Sequence, residues 1–467
     1  MRHTLITSHP LKGGVKLAAW LLLGMSTLLT ACHDDDSDSN AAMTINKIYL
    51  ENAKATDSIT DREVTFARLG QLIRIEGSGF TGLKHIYING YDTYFNNALL
   101  TDNNVWVTLN TKTPVDKADA SVRNKITLYK NDANTLTYDF IVRASSPSIS
   151  RVDNTLAQPG EKVVVYGANL QETTKLTLPG GVTVTEGIES DPDGEWYSFT
   201  MPSGVTESGS ITSEGANGTA VTPAYFNNND CFILNFDGKG TQGSWSATYS
   251  ASDLVDDPLN TGRGKVAMVI PQSVLDEGGI KAGANAKGFW TAGNDDALDD
   301  WARMTKYIPA TTPLDSVALQ FDVYVPEPWS GSGQLEITLQ NNLSNYGYGS
   351  ACTKYSKDYT NQAYAWVPWM NRTTGAVTPY DTGGRWQTVT IPLSQFGNYT
   401  NTDLTWTFQN VINDKNSGSY RNFGFLFVNP DLKYDEATTY EAKDFAQKIY
   451  VDNFRIVPCT AITVSDF

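Results

Sequence analysis

The C-terminal half of the chain is rich in aromatic residues and contains no histidine. From Cys231 to the end it holds eight of the 11 Trp and 14 of the 23 Tyr, and none of the four His. Indole and phenol faces stack on the C–H faces of sugar rings, whereas histidine is the side chain most often used for general acid–base catalysis. The composition therefore favours a region that holds a planar, uncharged ligand such as a glycan.

Rings that contact a ligand should lie in loops, because rings on alternating strands fill the core. Three segments rich in Gly, Asn and Pro carry such rings: residues 326–331, 341–349 and 364–372. The candidate glycan-binding residues are Trp329, Tyr346, Tyr348, Tyr364, Trp366 and Trp369, with Trp290 as a further candidate. Stacking on about two to four rings predicts dissociation constants between micromolar and millimolar.

The same region offers little for catalysis. A Ser-His triad or a His-built metal site is excluded there, since the chain's last histidine is His85. A β-glycan hydrolase needs only two carboxylates and stays an alternative function, and a surface adhesin for a protein partner is another. Asp237 and Asp452 leave a structural calcium as an alternative, but we favour ordinary strand-end aspartates. No catalytic residue, cofactor or metal is predicted.

The N-terminus has the order of an export signal. Basic residues precede an apolar stretch, residues 17–29, that is too short to span a bilayer as a mature helix. Leu29-Thr30-Ala31-Cys32 resembles a lipobox, which implies removal of residues 1–31 and lipidation of Cys32. The acidic tether that follows, residues 32–42, resembles the export signal of Bacteroidota-type surface lipoproteins. We expect a protein anchored by acyl chains to the outer face of the outer membrane.

Charge and cysteine content narrow the partners. Residues 1–31 contain three basic and no acidic residues, so their removal changes the net charge from −16 to −19. Such a surface repels phosphate backbones, and nucleic acid is not an expected partner. Cys231 and Cys459 lie at opposite ends of the last domain, where the first and last strands of a sandwich meet. We expect free buried thiols there, with a disulfide as the alternative.

Short segments with apolar residues at every second position predict an all-β fold. They are bounded by Gly, Asn, Asp and Pro, as in β-sandwiches. Examples are Val105/Val107/Leu109, Val163/Val165, Val317/Leu319/Phe321/Val323/Val325, Leu335/Ile337/Leu339 and Phe423/Phe425/Phe427. We expect three domains, at residues 43–145, 146–228 and 229–467.

The first two domains are versions of one unit. Residues 73–80 (IRIEGSGF) and 163–170 (VVVYGANL) both end a strand in glycine, and the pattern resembles the immunoglobulin-like IPT/TIG domain. We expect the glycines to supply a positive φ, and Trp106 and Trp196 to be core residues. Pro147 and Pro223 at the junctions predict stiff linkers, so these domains are interpreted as spacers.

The third domain contains segments that resemble strands of jelly-roll carbohydrate-binding modules, at residues 231–238, 384–393 and 448–456. Together with the lipobox, the tether and the repeated units, they make the mature chain resemble the surface glycan-binding protein B family. That resemblance implies a non-catalytic, monomeric lipoprotein that binds xyloglucan or mixed-linkage β-glucan beside a porin-like importer. It also implies an aromatic platform, which Trp329, Tyr364 and Trp366 resemble.

Overall fold

A computed structural model describes most of the chain from residue 41 onward. The described residues are 41–51, 62–131, 133–243, 254–269, 285–339, 364–396, 405–418, 421–429, 431–445 and 447–464. They form two compact units: one comprises residues up to 114 with 118–142, and the other residues 115–117 with 143–467. Cys32, Tyr346 and Tyr348 lie outside the described residues. No helix within these ranges is long and apolar enough to cross a bilayer.

The first unit is an immunoglobulin-like sandwich. Its two four-stranded sheets have the orders β2-β1-β4-β7 and β6-β5-β8-β9, and β3 pairs with β10. The strands are β1 (Thr44–Leu50), β2 (Arg62–Glu63), β3 (Phe66–Arg68), β4 (Leu72–Ser78), β5 (His85–Ile88), β6 (Tyr91–Thr93), β7 (Asn104–Thr108), β8 (Lys125–Asn131), β9 (Asn134–Asp139) and β10 (Ile141–Arg143), with a 3-10 helix at Asn97–Leu99.

The second unit begins with another immunoglobulin-like sandwich. Its sheets have the orders β11-β12-β16-β15 and β14-β13-β17-β18. The strands are β11 (Ser148–Val152), β12 (Lys162–Ala168), β13 (Lys175–Thr177), β14 (Thr183–Val184), β15 (Glu189–Ser190), β16 (Trp196–Thr200), β17 (Thr212–Gly215) and β18 (Gly218–Val221), with a 3-10 helix at Pro179–Gly181. The first strand of both sandwiches carries a register shift at the same place, between Ile45 and Lys47 and between Ile149 and Arg151.

The repeated glycines act differently from the expectation. A Cβ on Gly77 would lie 1.8 Å from the Thr44 carbonyl oxygen, and one on Gly167 would lie 1.9 Å from that of Ser148. These glycines therefore permit close approach of the paired strand. The positive φ occurs two residues later, at Gly79 (73°) and at Asn169 (58°), where glycine and asparagine are the residues that tolerate it.

The rest of the second unit is a larger sandwich. Six strands form one sheet, ordered β20-β21-β30-β23-β26 with β19 on β30, and four form the other, ordered β22-β27-β24-β25. The strands are β19 (Phe232–Leu234), β20 (Leu254–Asp256), β21 (Lys265–Met268), β22 (Asn285–Trp290), β23 (Val317–Tyr324), β24 (Gln334–Thr338), β25 (Tyr364–Trp366), β26 (Gln387–Pro392), β27 (Gly424–Val428), β28 (Leu432–Lys433), β29 (Thr439–Tyr440) and β30 (Tyr450–Pro458).

Helices are few in the described part of this sandwich. The α-helix there, α1 (Phe408–Ser417), starts at Thr407, whose side chain and that of Asn410 form a capping box. The 3-10 helices are Gly293–Asp295, Ala297–Asp299, Trp301–Lys306, Leu314–Ser316 and Leu393–Gln395. Asp296 and Asp300 accept hydrogen bonds from Leu298 N and Ala302 N and so cap the 3-10 helices that follow them.

The core between the two sheets comes from the predicted alternation. The inward residues of β23, Val317, Leu319, Phe321 and Val323, are each 0% exposed. Phe321 and Phe425 stack on the two sides of Phe454, with ring centroids 5.2 and 5.1 Å apart. This cluster also includes rings from the segments between strands, among them several of the candidate glycan-binding residues.

Two further expectations can be compared with the structure. Trp106 and Trp196 are only half-buried, because they occupy the strand face opposite the buried Val105, Val107 and Phe199. The first and last strands of the C-terminal sandwich do meet, with Phe232 opposite Arg455. Cys231 and Cys459 are nevertheless free thiols, and the Cys459 Sγ lies 3.3 Å from the Asp315 carbonyl oxygen.

Candidate functional site

Most candidate rings lie around the pairing of β24 with β25, at one edge of the four-stranded sheet. Tyr364 and Trp366 lie opposite Ile337 and Leu335, so the two rings share one face of β25 as their spacing predicts. That face points into the sandwich, because Leu335 and Ile337 belong to its core. The alternation that places the two rings together also buries them, and each residue is only 7% exposed.

Trp329 is also a core residue, which contradicts its expected place in an open loop. Its backbone pairs with Tyr380 across an isolated bridge, and this pairing returns the ring to the sandwich. The indole Nε1 donates to the Ser332 carbonyl oxygen at 2.7 Å, and the ring lies edge-on to Trp366 at 5.6 Å. Trp329 is 0% exposed. Trp366 in turn lies edge-on to Phe321 at 5.2 Å. Trp329 and Trp366 are therefore already packed against other core side chains.

Trp290 is buried on the other face of the same sheet. It lies opposite Gly424 in the pairing of β22 with β27, and its ring occupies the space where a side chain at that position would stand. A Cβ on Gly424 would lie 1.8 Å from the Trp290 ring. The glycine is therefore the reason that an indole fits flat on this strand.

Trp369 is also a core residue and only 1% exposed, which contradicts its expected place in an open loop, but its ring borders a surface cleft. The cleft is lined by Gly331, Ser332, Gly333, Gln334, Trp369, Leu432, Tyr440, Glu441 and Ala442. The Trp369 Nε1 donates to the Gly333 carbonyl oxygen at 2.9 Å, which fixes the indole at the floor. Tyr440 stands edge-on to this indole at 5.7 Å, and its hydroxyl donates to the Gly375 carbonyl oxygen. The cleft thus combines two rings with neighbouring polar groups.

Tyr440 was missed by the sequence reasoning. It lies in β29, within the polar segment 435–443, where a single tyrosine gives no alternation and no cluster of rings. Its partner on the paired strand is Leu432, and Tyr434 lies 6.5 Å away between ring centroids. The usable signal was an aromatic residue isolated among Asp, Glu and Thr, which is typical of a ring that is not needed in a core.

The outer face of β24 extends from this cleft as a row of polar side chains. Gln334, Glu336 and Thr338 occupy alternate positions and are each 5% exposed or less. Gln334 Nε2 donates to Glu336 Oε1 at 2.8 Å. Burial raises the pKa of Glu336 to about 8, while the positive charge of Arg372 acts in the opposite direction. Glu336 is therefore protonated at neutral pH and presents a neutral carboxyl group.

Arg372 lies near both the polar row of β24 and the edge strand β25. Its guanidinium lies 4.3 Å from the centroid of the Tyr364 ring, a cation–π distance, and the residue itself is exposed. The Tyr364 hydroxyl donates to Gln395 Oε1 at 3.4 Å. Burial raises the pKa of Tyr364, so its hydroxyl stays a hydrogen-bond donor at all physiological pH values. Tyr364 is thus covered by a charged side chain.

Asp237 and Asp452, the positions considered for a structural calcium, have other interactions. Among the described residues, no group of three or more His, Cys, Asp or Glu is arranged to hold a metal ion. Asp237 accepts the backbone N–H of Lys265 at 2.9 Å. Burial and then the charge of Asp322 raise the pKa of Asp452, while the charge of Arg263 acts in the opposite direction. Guanidinium groups beside Asp452 make that position unsuitable for a second cation.

Three comparisons with known proteins bear on this arrangement. Residues 226–458 match the family described as surface glycan-binding protein B xyloglucan binding domain. The crystal structure of the surface glycan-binding protein PbSGBP-B from Prevotella bryantii has a TM-score of 0.64 and 20% identity, covering 90% of this chain and 99% of that one. At this level of identity the likeness concerns the fold.

A curated relative also matches in sequence. An IPT/TIG domain-containing protein from Bacteroides ovatus is 25% identical over 194 residues, which are 41% of this chain and 37% of that protein. The match therefore spans little more than a third of the relative's length. The chain is thus all-β, with tandem immunoglobulin-like IPT/TIG sandwiches followed by a C-terminal sandwich. That C-terminal domain belongs to the surface glycan-binding protein B xyloglucan-binding domain family.

Proposed function

We propose that this chain is a non-catalytic cell-surface protein that captures a plant β-glucan, either xyloglucan or mixed-linkage β-glucan. Membership of residues 226–458 in a xyloglucan-binding domain family supports the substrate class. The described part of the C-terminal domain contains no histidine, which agrees with binding rather than acid–base chemistry at neutral pH. The chain would act by holding polysaccharide for a neighbouring outer-membrane importer.

The observation that carries the site assignment is the cleft between Trp369 and Tyr440. An edge-on pair of rings leaves one face of the more exposed ring available, and Tyr440 is the half-exposed member. Sugar hydroxyls would find an exposed carboxylate beside it in Glu441. We assign the first glycan contact to this cleft, with the exposed Arg372 at the neighbouring sheet edge as a second contact.

The anchoring part of the proposal rests on the N-terminal sequence. Cys32 follows a lipobox-like segment, and the acidic residues after it resemble a surface-export signal. Acyl chains on Cys32 would hold the protein at the outer membrane, and the immunoglobulin-like domains would raise the glycan-binding domain above it. Incorporation of radiolabelled palmitate into the wild-type protein and its loss in Cys32→Ala test this step.

The central experiment is calorimetry of the mature chain, from Cys32 onward, with xyloglucan, mixed-linkage β-glucan, glucomannan and an unrelated α-glucan. We expect saturable binding in the micromolar to millimolar range to at least one of the two β-glucans and none to the α-glucan. Reducing ends are assayed in the same mixtures over 24 hours or so, a time that suits slow glycosidases. Binding without released oligosaccharide supports the proposal, whereas product release would replace it by the hydrolase.

A further inference from the structure

The outer face of the six-stranded sheet carries buried charges where alternation predicts a solvated surface. On β23 the residues between the core positions are Gln320 and Asp322, and both are 0% exposed. Arg455 on the neighbouring β30 is also 0% exposed and lies opposite Gln320. Buried charges of this kind are stable only when they are paired and hydrogen-bonded. Something must therefore cover this face and supply the partners.

The cover is the loop that follows β11 in the second immunoglobulin-like sandwich. Thr155 of that loop donates through Oγ1 to Gln320 Oε1 at 3.1 Å and accepts from Arg455 Nη2 at 2.7 Å. Its backbone N–H donates to Thr388 Oγ1 at 2.9 Å, and Thr388 Oγ1 donates to Asp322 Oδ1 at 2.8 Å. One threonine thus completes the hydrogen bonding of three strands in the other sandwich.

Two arginines of the C-terminal sandwich also contact the immunoglobulin-like sandwich. Arg263 donates to Asp322 Oδ2 at 2.8 Å within its own sandwich, and to Asn154 Oδ1 at 3.1 Å and Glu161 Oε2 at 3.2 Å in the immunoglobulin-like one. Arg385 Nη1 lies 2.8 Å from Asp153 Oδ2, and the Asp153 side chain is fully buried. Two ion pairs, Arg263 with Glu161 and Arg385 with Asp153, therefore cross the boundary.

The apolar core is shared as well. Ala318 of β23 and Val457 of β30 pack in the core of the immunoglobulin-like sandwich together with Val163 and Tyr197. After β30 the chain returns to that sandwich, where Ile462 pairs with Val221 of β18. Covalent, apolar and ionic links thus all cross the same boundary.

We infer that the second immunoglobulin-like sandwich and the C-terminal sandwich form one cooperative folding unit. Separation would leave Arg455 without Thr155, Asp153 without Arg385 and Arg263 without Glu161, which is far more costly than exposing ordinary surface. The second sandwich is accordingly part of the binding domain and holds it in a fixed orientation. Pro223 at the boundary contributes less to this orientation than the buried contacts do. This inference does not depend on which ligand the cleft binds.

The test uses the whole mature chain and hydrogen exchange read by mass spectrometry, in denaturant that makes amides exchange through global unfolding. Two strands away from the boundary report on the two sandwiches: β17 and β27. Arg385→Gln changes only the C-terminal side, and Thr155→Val changes only the immunoglobulin-like side. We expect each variant to accelerate exchange in both strands by the same factor, at least about 10-fold.

A matched control is Glu189→Gln, which removes the exposed ion pair of Glu189 with Lys162 inside one sandwich. It should leave exchange in β27 within about twofold of wild type. Acceleration that stays in the sandwich carrying the substitution, or no acceleration in either strand, would overturn the inference. Arg385 and Asp153 form an edge contact in which Arg385 is 32% exposed, so Arg385→Gln keeps the chain foldable.

Discussion

Strands β23 and β24 look alike in sequence and differ in how their polar faces are used. Each alternates apolar core residues with polar ones, and both polar rows are buried: Gln320 and Asp322 on β23, and Gln334, Glu336 and Thr338 on β24. On β23 the carboxylate of Asp322 meets two guanidinium groups, from Arg263 and Arg455, at 2.8 and 3.5 Å. On β24 the carboxyl of Glu336 meets an amide.

The two buried carboxyl groups differ in how their charge is compensated. A carboxylate that is paired with arginines belongs to a permanent interface, because either partner alone would be a buried unpaired charge. A neutral carboxyl beside an amide, next to a cleft with two rings, is a set of hydrogen-bond donors and acceptors with little net charge. Such a row is neutral and needs no paired cation. Burial alone therefore does not tell the two faces apart, but charge pairing does.

The largest expected effect is on the β23 face. Arg455→Leu leaves Asp322 with one fewer cation and removes a donor to Thr155, so we expect the free energy of unfolding to fall by about 3 to 5 kcal/mol. Urea denaturation of the full mature chain measures it. The control is Lys265→Gln, which removes an exposed pair with Asp256 in the same sandwich and should change stability by about 0.5 kcal/mol or less. Equal effects of the two substitutions would remove the contrast between the strands.

A second effect tests the inner side of the β24–β25 pair. Trp366→Ala removes a ring that packs edge-on against Phe321, Trp329 and Tyr380. We expect a loss of about 3 kcal/mol of stability, at the lower end for a buried tryptophan because β25 is an edge strand. Urea denaturation measures the loss, with calorimetry on the same preparation. If stability is unchanged and glycan binding is lost, the ring is a platform residue as the sequence suggested.

The sequence predicted the strands and the core more reliably than the site. Alternation at residues 317–325 and 335–339 indicated which side chains are buried, because one face of a strand must cover the core. The same rule could not distinguish a loop ring from a core ring in residues 326–331, since the bridge between Trp329 and Tyr380 joins segments about 50 residues apart and no local pattern encodes it. The polar junction was missed for a similar reason: Thr155 and Arg455 are 300 residues apart.

The third effect concerns the cleft at the end of β24. Tyr440→Ala removes one wall, and stacking on a tyrosine contributes about 1 to 2 kcal/mol, so we expect binding of the preferred β-glucan to weaken about 5- to 30-fold. Calorimetry measures the dissociation constant, and Tyr440→Phe separates the ring from its hydroxyl, which donates to Gly375. The matched control is Tyr307→Ala, which removes an exposed tyrosine at the end of the 3-10 helix Trp301–Lys306. Binding that survives in Tyr440→Ala would move the site elsewhere in the domain and leave the glycan function intact.

Glu336→Gln has the smallest expected effect. It should change stability little at acidic pH, and the stability difference from wild type should grow as the pH rises. Burial raises the pKa of Glu336 to about 8, well above its value of about 4.3 in an unfolded chain. The folded protein therefore retains a proton that the unfolded chain releases between these values. The stability that Glu336 contributes is present at low pH and is lost as the pH rises toward 8. At pH 5 a neutral amide replaces a neutral carboxyl of the same shape, and the two proteins should differ by less than about 1 kcal/mol.

Between pH 5 and pH 8 the wild type should lose at least about 1 kcal/mol relative to Glu336→Gln. Urea midpoints of both proteins at pH 5, 6.5 and 8 measure the difference. Lys415, whose pKa burial lowers to about 7, titrates in the same window, but it does so in both proteins and cancels in the difference. Parallel curves would mean that Glu336 is ionised throughout, so that the β24 face carries a fixed charge like that of β23.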